Sequence, residues 1–598
     1  MKKIINVSDH LFYLLNKYAN VKDVFTVSGG GIMFLTEALR RNKKIKFWIN
    51  YGEQSSCIAA EAYSKLNLNS LGVCLVTTGP GSTNALSGLA SAWVDSVPLI
   101  VISGQVRTEV MCNFRKKRQK GPQEINIVPM VKPISKYVKT ITEPHDIEYE
   151  VLKAINIAKS GRPGPVWLNI PLDVQSAKIN KYKLKKFNNG EIKKTNLKFK
   201  KSHFFNLISE SKKPLVLAGN GVKLSNTKSQ LAYFLKKNRI PVVTNISAMD
   251  LFYSDENMFY GNVGINGNRH SNIILQNCDL LIILGSEMSI SCIGYNRKIA
   301  PFAKKIMVNV DKGAFYELDF NIDLKINLNL IDFFNLIKSK NNKFLKNKNN
   351  KWINFCNFVK KNYSSNLLGS SYKQKVEAYA FYKSLNNYTN KNDIFVFGNN
   401  VESVVLGCQS LILKKFQKTC LTVYYGSMGW DLPAAFGASI CNPKKQIILL
   451  TGDGSIIFNI QELLAISNYN LNIKIIIFNN KGYQSIKRTQ KNFFKGEIGA
   501  DKNSGVFDAS FSKISKAYGI KYISIKNNRQ FDIKIESILK KRYPCIIDLN
   551  SPKNQKVLRV TSYRNTKGKL ESHTLDNMKP FLKNKEKKLL HQKIIELG

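Results

Sequence analysis

Gln446-Ile447-Ile448-Leu449-Leu450-Thr451-Gly452-Asp453-Gly454-Ser455 is the segment from which the architecture can be inferred. Four apolar residues run into a turn. A helical pattern follows from Ile456 to Tyr469, and a second apolar run, Ile473 to Phe478, ends in Asn479-Asn480. Strand, tight turn, helix and strand in that order make one βαβ unit of a parallel sheet. Both polar breaks then fall at the carboxyl ends of neighbouring strands, where open α/β sheets bind ligands. Asp453 and Asn480 supply hard oxygens; with a backbone carbonyl and phosphate oxygens they suit Mg²⁺. Glycines on both sides of Asp453 let the backbone approach a diphosphate at a helix N-terminus. A lone Gly-Asp-Gly is most often only a turn. The signal here is that Asn479-Asn480 follows after residues 455–478, with strands in both required places.

Around this segment, 598 residues leave room for three or four domains. A hydrophobic content of 43% is enough for sizeable cores and too high for disorder. The net charge of +50 raises nucleic acid as a partner. However, the lysines are scattered along the whole chain, and zinc-finger spacing, an RNP-type aromatic motif and a recognition helix are all missing from the sequence. Retention of anionic substrates or nonspecific adhesion explains the charge better, so no nucleic-acid partner is expected. The ten cysteines form no Cys-x-x-Cys pair and no cluster with histidine, and read as small core residues in a reducing compartment. The N-terminus lacks the apolar core of a signal peptide. No run reaches the ~18 apolar residues of a membrane span. The expectation is a cytoplasmic protein without a membrane partner.

Residues 1–180 alternate strand and helix. Val24 to Val27 runs into Ser28-Gly29-Gly30-Gly31, Ile45 to Ile49 is a second strand with Glu53 just past its end, and a helix follows from Ser55 to Lys65. Gly72 to Thr77 leads into Thr78-Gly79-Pro80-Gly81-Ser82-Thr83-Asn84 and an alanine-rich helix; Pro98 to Ser103 is a further buried strand. Lysine- and asparagine-rich segments at Asn180 to Lys201 and Lys338 to Lys351 read as linkers. They bound a central domain at 200–340 and a third domain at 365–550, with a tail at 551–598 that wraps the surface or a cofactor cleft. The fold class is α/β, with doubly wound parallel sheets covered on both faces.

Nearly the whole chain, roughly residues 1–550, resembles the acetolactate synthase-like family of thiamine diphosphate (ThDP) enzymes. Gly-Asp-Gly followed by Asn-Asn matches that family's diphosphate-binding signature. So do Gly52-Glu53-Gln54, Ala59-Ala60-Glu61-Ala62-Tyr63, the 78–84 turn, Asp95-Ser96-Val97-Pro98-Leu99 and Gly104-Gln105-Val106. Gln123-Glu124, Arg162-Pro163-Gly164-Pro165-Val166 and Gly426-Ser427-Met428-Gly429 complete the match. The resemblance implies three domains, pyrimidine-binding, central and diphosphate-binding. ThDP chemistry needs one carboxyl group that shares a proton with the aminopyrimidine, since the cofactor carries the hard chemistry. Glu53, at a strand's carboxyl end before a helix, is the candidate; its competitor Glu61 sits at an ordinary helix surface or packing position.

By resemblance, Glu53 activates the cofactor, Gln123 faces the bound substrate, and Asp453, Asn480 and the Gly482 carbonyl hold Mg²⁺. Met428 props the cofactor in a bent conformation. Gly30, Pro80, Asn84, Gly398, Asn399, Ser427, Gly452, Gly454, Ser455 and Tyr483 are the further candidate cofactor contacts. The first domain of one subunit meets the third domain of another in this family, which implies a homodimer or homotetramer. The expected substrates are pyruvate and a 2-oxo acid acceptor, as in branched-chain amino acid biosynthesis.

Three departures bear on that acceptor. The family has Phe before Gln-Glu where this chain has Pro122, Lys where it has Leu172, and Trp where it has Thr489. Such changes of bulk and charge alter specificity. Asn480-Lys481-Gly482-Tyr483-Gln484-Ser485-Ile486 and the tail Leu575 to Leu582 look more like relatives from polysaccharide and branched-sugar pathways. Some of those transfer the two-carbon unit to a nucleotide-linked keto-sugar. A plain decarboxylase is a weaker alternative, because the first domain lacks a His-His pair. The central domain holds FAD in acetolactate synthases. Here Gly285-Ser286-Glu287-Met288-Ser289 replaces an arginine-bearing segment, and an arginine lost to Glu287 disfavours a diphosphate. FAD therefore stays open as a cofactor, as does a regulatory subunit.

Overall fold

Residues 4–188, 199–338, 349–364, 374–422, 424–494, 496–565 and 568–597 are described by a computed structural model. It contains three six-stranded sheets, each parallel throughout. In the first domain the order across the sheet is Lys46–Ile49, Asp23–Thr26, Gly72–Val76, Leu99–Gln105, Pro165–Pro171 and Tyr137–Thr140. In the third it is Lys418–Leu421, Ile394–Phe397, Ile447–Gly452, Ile473–Asn479, Cys545–Asn550 and Lys521–Ile525. Numbered along the chain, both sheets read 2-1-3-4-6-5. The central sheet, Phe259–Asn262, Val242–Thr244, Pro214–Ala218, Leu280–Leu284, Lys304–Val308 and Leu324–Ile326, reads 3-2-1-4-5-6. That last order is the one found in dinucleotide-binding folds.

The apolar runs form these strands because helices cover both faces of each sheet. Gly72–Val76, Leu99–Gln105, Ile447–Gly452 and Ile473–Asn479 are buried along their whole length. The expected βαβ unit is present, with Ile447–Gly452 and Ile473–Asn479 adjacent and in register from Ile447↔Ile473 to Gly452↔Phe478. Its connecting helix departs from the expectation. Instead of one helix from Ile456 to Tyr469 there are two, Asp453–Ile457 and Glu462–Asn468. Asn459 lies in the break. Its Nδ2 donates to the Gly429 carbonyl at 2.6 Å and its Oδ1 accepts from Ser55 Oγ at 3.2 Å, so long-range bonds replace the helical ones.

The segments 189–198 and 339–348, ten of the 22 residues of the first expected linker and ten of the 14 of the second, lie outside the described residues. Beyond the second, helix Asn350–Tyr363 belongs to the central domain. Trp352, Phe355, Cys356 and Val359 enter its core, and Trp352 Nε1 donates to the Pro214 carbonyl at 2.9 Å. The tail also packs on the central domain. Leu575 and Leu597 join the same core, and Arg269 Nη2 donates to the Met578 and Pro580 carbonyls at 2.9 and 2.5 Å. Every described cysteine is a free thiol, and all are buried except the half-buried Cys441. No helix among the described residues is long and apolar enough to cross a membrane.

Beside Arg269, His270 is buried at the start of helix Arg269–Asn277. Burial, with Arg559 and Lys360 nearby, pushes its imidazole from 6.5 down to about 3. Below pH 6.5 the unfolded chain takes up a proton that the native state refuses, so stability falls as pH falls. At ~1.4 kcal/mol per pH unit, the loss between pH 6.5 and pH 5 is about 2 kcal/mol. Thermal unfolding of wild type and His270→Gln at pH 7 and pH 5 measures it. The wild type should lose several degrees more than the variant on acidification.

Candidate active site

Two groups of residues gather at sheet ends, one in the first domain and one in the third. In the first, strands ending at Thr26, Ile49 and Val76 are neighbours, so the turns that follow them converge. The Gly31 amide donates to Thr77 Oγ1 at 3.0 Å, and a Cβ at Gly29 would meet the Thr77 side chain at 2.6 Å. Gly30 begins the short 3-10 turn Gly30–Ile32 within this contact. Gly79 has φ +66° and lies against the Gln123 carbonyl, which a Cβ would meet at 1.9 Å. Only glycine fits both demands. Pro80 then starts the helical turn Pro80–Asn84, and Asn84 Nδ2 donates to Glu53 Oε2 at 3.0 Å. Glu53, half-buried, opens helix Glu53–Leu66. The turn 28–31, the turn 77–84, Glu53 and Gln123 are therefore one constellation. Pro122 and Gln123 are exposed.

The third-domain group stands on the adjacent strands that end at Leu421, Phe397, Gly452 and Asn479. Asp453 Oδ2 accepts from the Lys481 and Gly482 amides at 2.8 and 3.0 Å, which ties the Gly-Asp-Gly turn to the loop after Asn480. Burial and the nearby Glu402 push the Asp453 carboxyl from 3.8 up to about 7. Asn399 Nδ2 donates to the Gly426 carbonyl, and Ser455 Oγ accepts from the Gly429 amide at 3.1 Å. Ser427 Oγ donates to the carbonyl of the half-buried Met428 at 3.0 Å. A Cβ at Gly398 would meet Asp431 Oδ2 at 2.4 Å, so glycine is required where that buried acid passes. Gly452 lies against Asn400 and Gly454 against the Tyr483 ring, at 2.9 and 2.1 Å from an added Cβ. The glycines around Asp453 thus admit side chains of this chain at close range.

Of the two positions expected for Glu61, helix surface or packing, the structure shows a packed one. It is fully buried and bonded to Lys65 Nζ at 2.7 Å, Ser91 Oγ at 2.9 Å and Trp430 Nε1 at 2.8 Å. Lys65 also pairs with Asp95 at 2.7 Å and lies over the Trp430 ring. This ionic group joins the first domain to the third. So do Asn50 Nδ2 and the Tyr51 amide on Glu462, at 2.8 and 2.9 Å, and the close approach of helix Asp431–Cys441 to helix Glu53–Leu66. There, a Cβ at Gly437 would meet the Ala59 carbonyl at 2.1 Å. Within the chain, among the described residues, no hydrogen bond links Glu53 itself to the Asp453 group.

Sequence reading missed Glu402, Asp431 and Glu462, all buried, because lone acids in apolar segments carry no motif. Of the three departures, Thr489 is exposed on helix Gln484–Phe493 with its hydroxyl turned back to the Ser485 carbonyl. Leu172 is half-buried at the start of helix Leu172–Ser176.

At the switch point of the central sheet, the Gly219 amide donates to the Leu284 carbonyl at 2.8 Å and the Gly221 amide to the Gly285 carbonyl at 2.9 Å. Glu287 and Asp311 stand at the same strand ends, and Arg162 of the first domain pairs with both. The Gly219 and Gly221 amides are committed to backbone carbonyls, and at these strand ends two carboxylates share one arginine. This crevice does not fit FAD.

Comparison with known proteins matches the chain in all three domains. The family model for the N-terminal TPP binding domain of thiamine pyrophosphate enzymes matches residues 5–130, that for the central domain 202–328, and that for the C-terminal TPP binding domain 405–549. The acetolactate synthase large subunit of Cyanidium caldarium is 30% identical over 551 residues, spanning 88% of this chain and 90% of that protein. The acetolactate synthase large subunit of Lactococcus lactis subsp. lactis is 28% identical, over 91% and 92%. Acetolactate synthase 2, chloroplastic, of Nicotiana tabacum is 28% identical, over 90% and 81%. On these matches, the chain belongs to the acetolactate synthase-like family of thiamine diphosphate-dependent enzymes, and is an enzyme of the transferase class.

Proposed function

We propose that the protein is a ThDP- and Mg²⁺-dependent carboligase that decarboxylates pyruvate and transfers the two-carbon unit to the carbonyl of a second 2-oxo acid. The supporting observation is the presence on one chain of both half-sites, one holding Glu53 with Asn84 and the other Asp453 with Asn480. ThDP, when bound, supplies a carbon acid that adds to a carbonyl and accepts the charge left as CO₂ departs. Asp453, Asn480 and the Gly482 carbonyl offer the mixed oxygen set that Mg²⁺ takes alongside phosphates. Glu53 holds a proton at the pyrimidine nitrogen, and Asn84 keeps its carboxylate oriented. Gln123 faces the substrate.

Both half-sites are open in the single chain. Met33 and Tyr51 beside the first are 50% and 48% exposed, and Phe458 beside the second is 56% exposed. A second copy completing each site, as a homodimer or homotetramer, accounts for these apolar rims. Pro122, Leu172 and Thr489 favour a second reading of the acceptor. Smaller or uncharged side chains where the family has Phe, Lys and Trp change the bulk and charge that select an acceptor, in the direction of a larger one such as a keto-sugar on a nucleotide.

Pyruvate turnover by the purified protein with ThDP and Mg²⁺, with acetolactate measured directly, tests the proposal. Acetolactate formed at the rate of CO₂ release is the expected result, unchanged by added FAD. CO₂ without acetolactate would overturn the 2-oxo acid as acceptor, with transfer to an added nucleotide keto-sugar favouring the second reading and released acetaldehyde a plain decarboxylase. No CO₂ at all would overturn the donor half. A flavin absorption band near ~450 nm in the purified protein would overturn the flavin-free reading of the central domain.

A further inference from the structure

Glu402 is a carboxylate that the proposed chemistry leaves unused. It lies in the π-helical turn Val401–Leu406 after strand Ile394–Phe397, and is 1% exposed. Its carbonyl accepts from the buried Tyr382 hydroxyl at 2.8 Å, which fixes the turn to the domain core. π-Helical turns are rare and cluster at functional sites. Each carboxylate oxygen takes one asparagine amide, Oε1 from Asn480 Nδ2 at 3.1 Å and Oε2 from Asn400 Nδ2 at 3.0 Å.

An asparagine can present either its oxygen or its NH₂ to a site, and only the oxygen binds a cation. The NH₂ of Asn480 is held by Glu402 and lies 3.4 Å from Gln484 Oε1. This leaves Oδ1 as the end free for a metal. Asn400 shows how strong the demand of Glu402 is. Its NH₂ is turned to the same carboxylate although its Oδ1 is then buried with no hydrogen-bond donor. The buried carboxyl group of Glu402 keeps its donor while that neutral oxygen goes without one.

We propose that Glu402 is a positioning residue for the metal site, holding the Asn480 amide so that its oxygen faces the cation. This rests on the assignment of Asp453, Asn480 and Gly482 to Mg²⁺. Outer carboxylates that orient a metal ligand contribute about 10–100-fold to affinity. Reversing the hydrogen bond separates this role from a purely structural one. In Glu402→Gln the introduced NH₂ faces the Asn480 NH₂, and one amide must flip. In Glu402→Gln/Asn480→Asp, the introduced glutamine donates to one oxygen of the new carboxylate and the other oxygen is free for the metal.

Mn²⁺ titration of the full-length protein with ThDP, read by electron paramagnetic resonance, is the test, with ligand-free thermal unfolding as the control for structure. Glu402→Gln should weaken Mn²⁺ binding about 10–100-fold, and the double variant should recover most of that loss. Wild-type affinity in Glu402→Gln, or a double variant no better than the single one, would overturn the proposal. Should Glu402→Gln fail to fold, Asn480→Asp decides. Weaker Mn²⁺ binding despite the added charge supports orientation by Glu402, and tighter binding overturns it. A wild-type protein that binds no Mn²⁺ would overturn the metal assignment itself.

Discussion

Glu53→Gln should fold, bind ThDP and Mg²⁺ as the wild type does, and lose turnover of pyruvate by about 10²–10⁴-fold, the usual contribution of one proton-transferring group. The side chain is half-buried at the first position of its helix, and among the described residues it accepts from Asn84 Nδ2 at 3.0 Å. A glutamine presents the same carbonyl oxygen to Asn84, so neither helix nor turn loses a contact. What disappears is the ability to exchange a proton with the pyrimidine nitrogen. Steady-state CO₂ release, with ThDP affinity measured by calorimetry, separates the two effects. Full turnover in the variant would remove Glu53 from the mechanism. A loss confined to ThDP affinity would make it a binding residue instead.

Asp453→Asn should abolish cofactor loading while leaving the ligand-free fold at least as stable. The amide oxygen of the introduced asparagine can still accept from the Lys481 and Gly482 amides, so the turn keeps both bonds. The variant lacks the charge that burial and Glu402 already disfavour in the ligand-free protein, where the carboxyl is pushed up to about 7. Removing an ionised group from such surroundings relieves its desolvation until a cation is present to balance it. A drop in Mg²⁺-dependent ThDP affinity of more than about 100-fold is expected, beyond what an outer partner contributes. A chelator should bring wild type to the same state. Calorimetry with ThDP and Mg²⁺ and unfolding without them give the two halves. Unchanged affinity would mean that the cation is held elsewhere.

The parts of this protein that are legible in its sequence are those whose cause is local. The alternation of apolar runs with glycine turns specifies the strands near Ile447 and Ile473, and their adjacency follows from a βαβ connection too short to place them otherwise. Asp453 and Asn480 are identifiable because the turn, helix and strand between them set both at strand ends. The helix from Ile456 reads as continuous because its break at Asn459 depends on Ser55 and Gly429, far away in the chain. Period and propensity cannot register such a partner. Glu61 reads as either a helix-surface or a packing residue for the same reason. Its pattern within Ala59-Ala60-Glu61-Ala62 says nothing of Trp430, whose indole donates to one of its oxygens.

Residue order therefore carries the three α/β units and the strand-end turns beside which Glu53 and Asp453 stand. What surrounds those carboxylates is set by the packing of the units on one another. Packing seats Gly437 on Ala59, closes the central crevice with Arg162 on Glu287 and Asp311, and places Glu402 behind Asn480. Desolvation is the cause. A buried charge must find its partner wherever the packed sheets bring one. That partner's position in the chain is unrelated to its position in space.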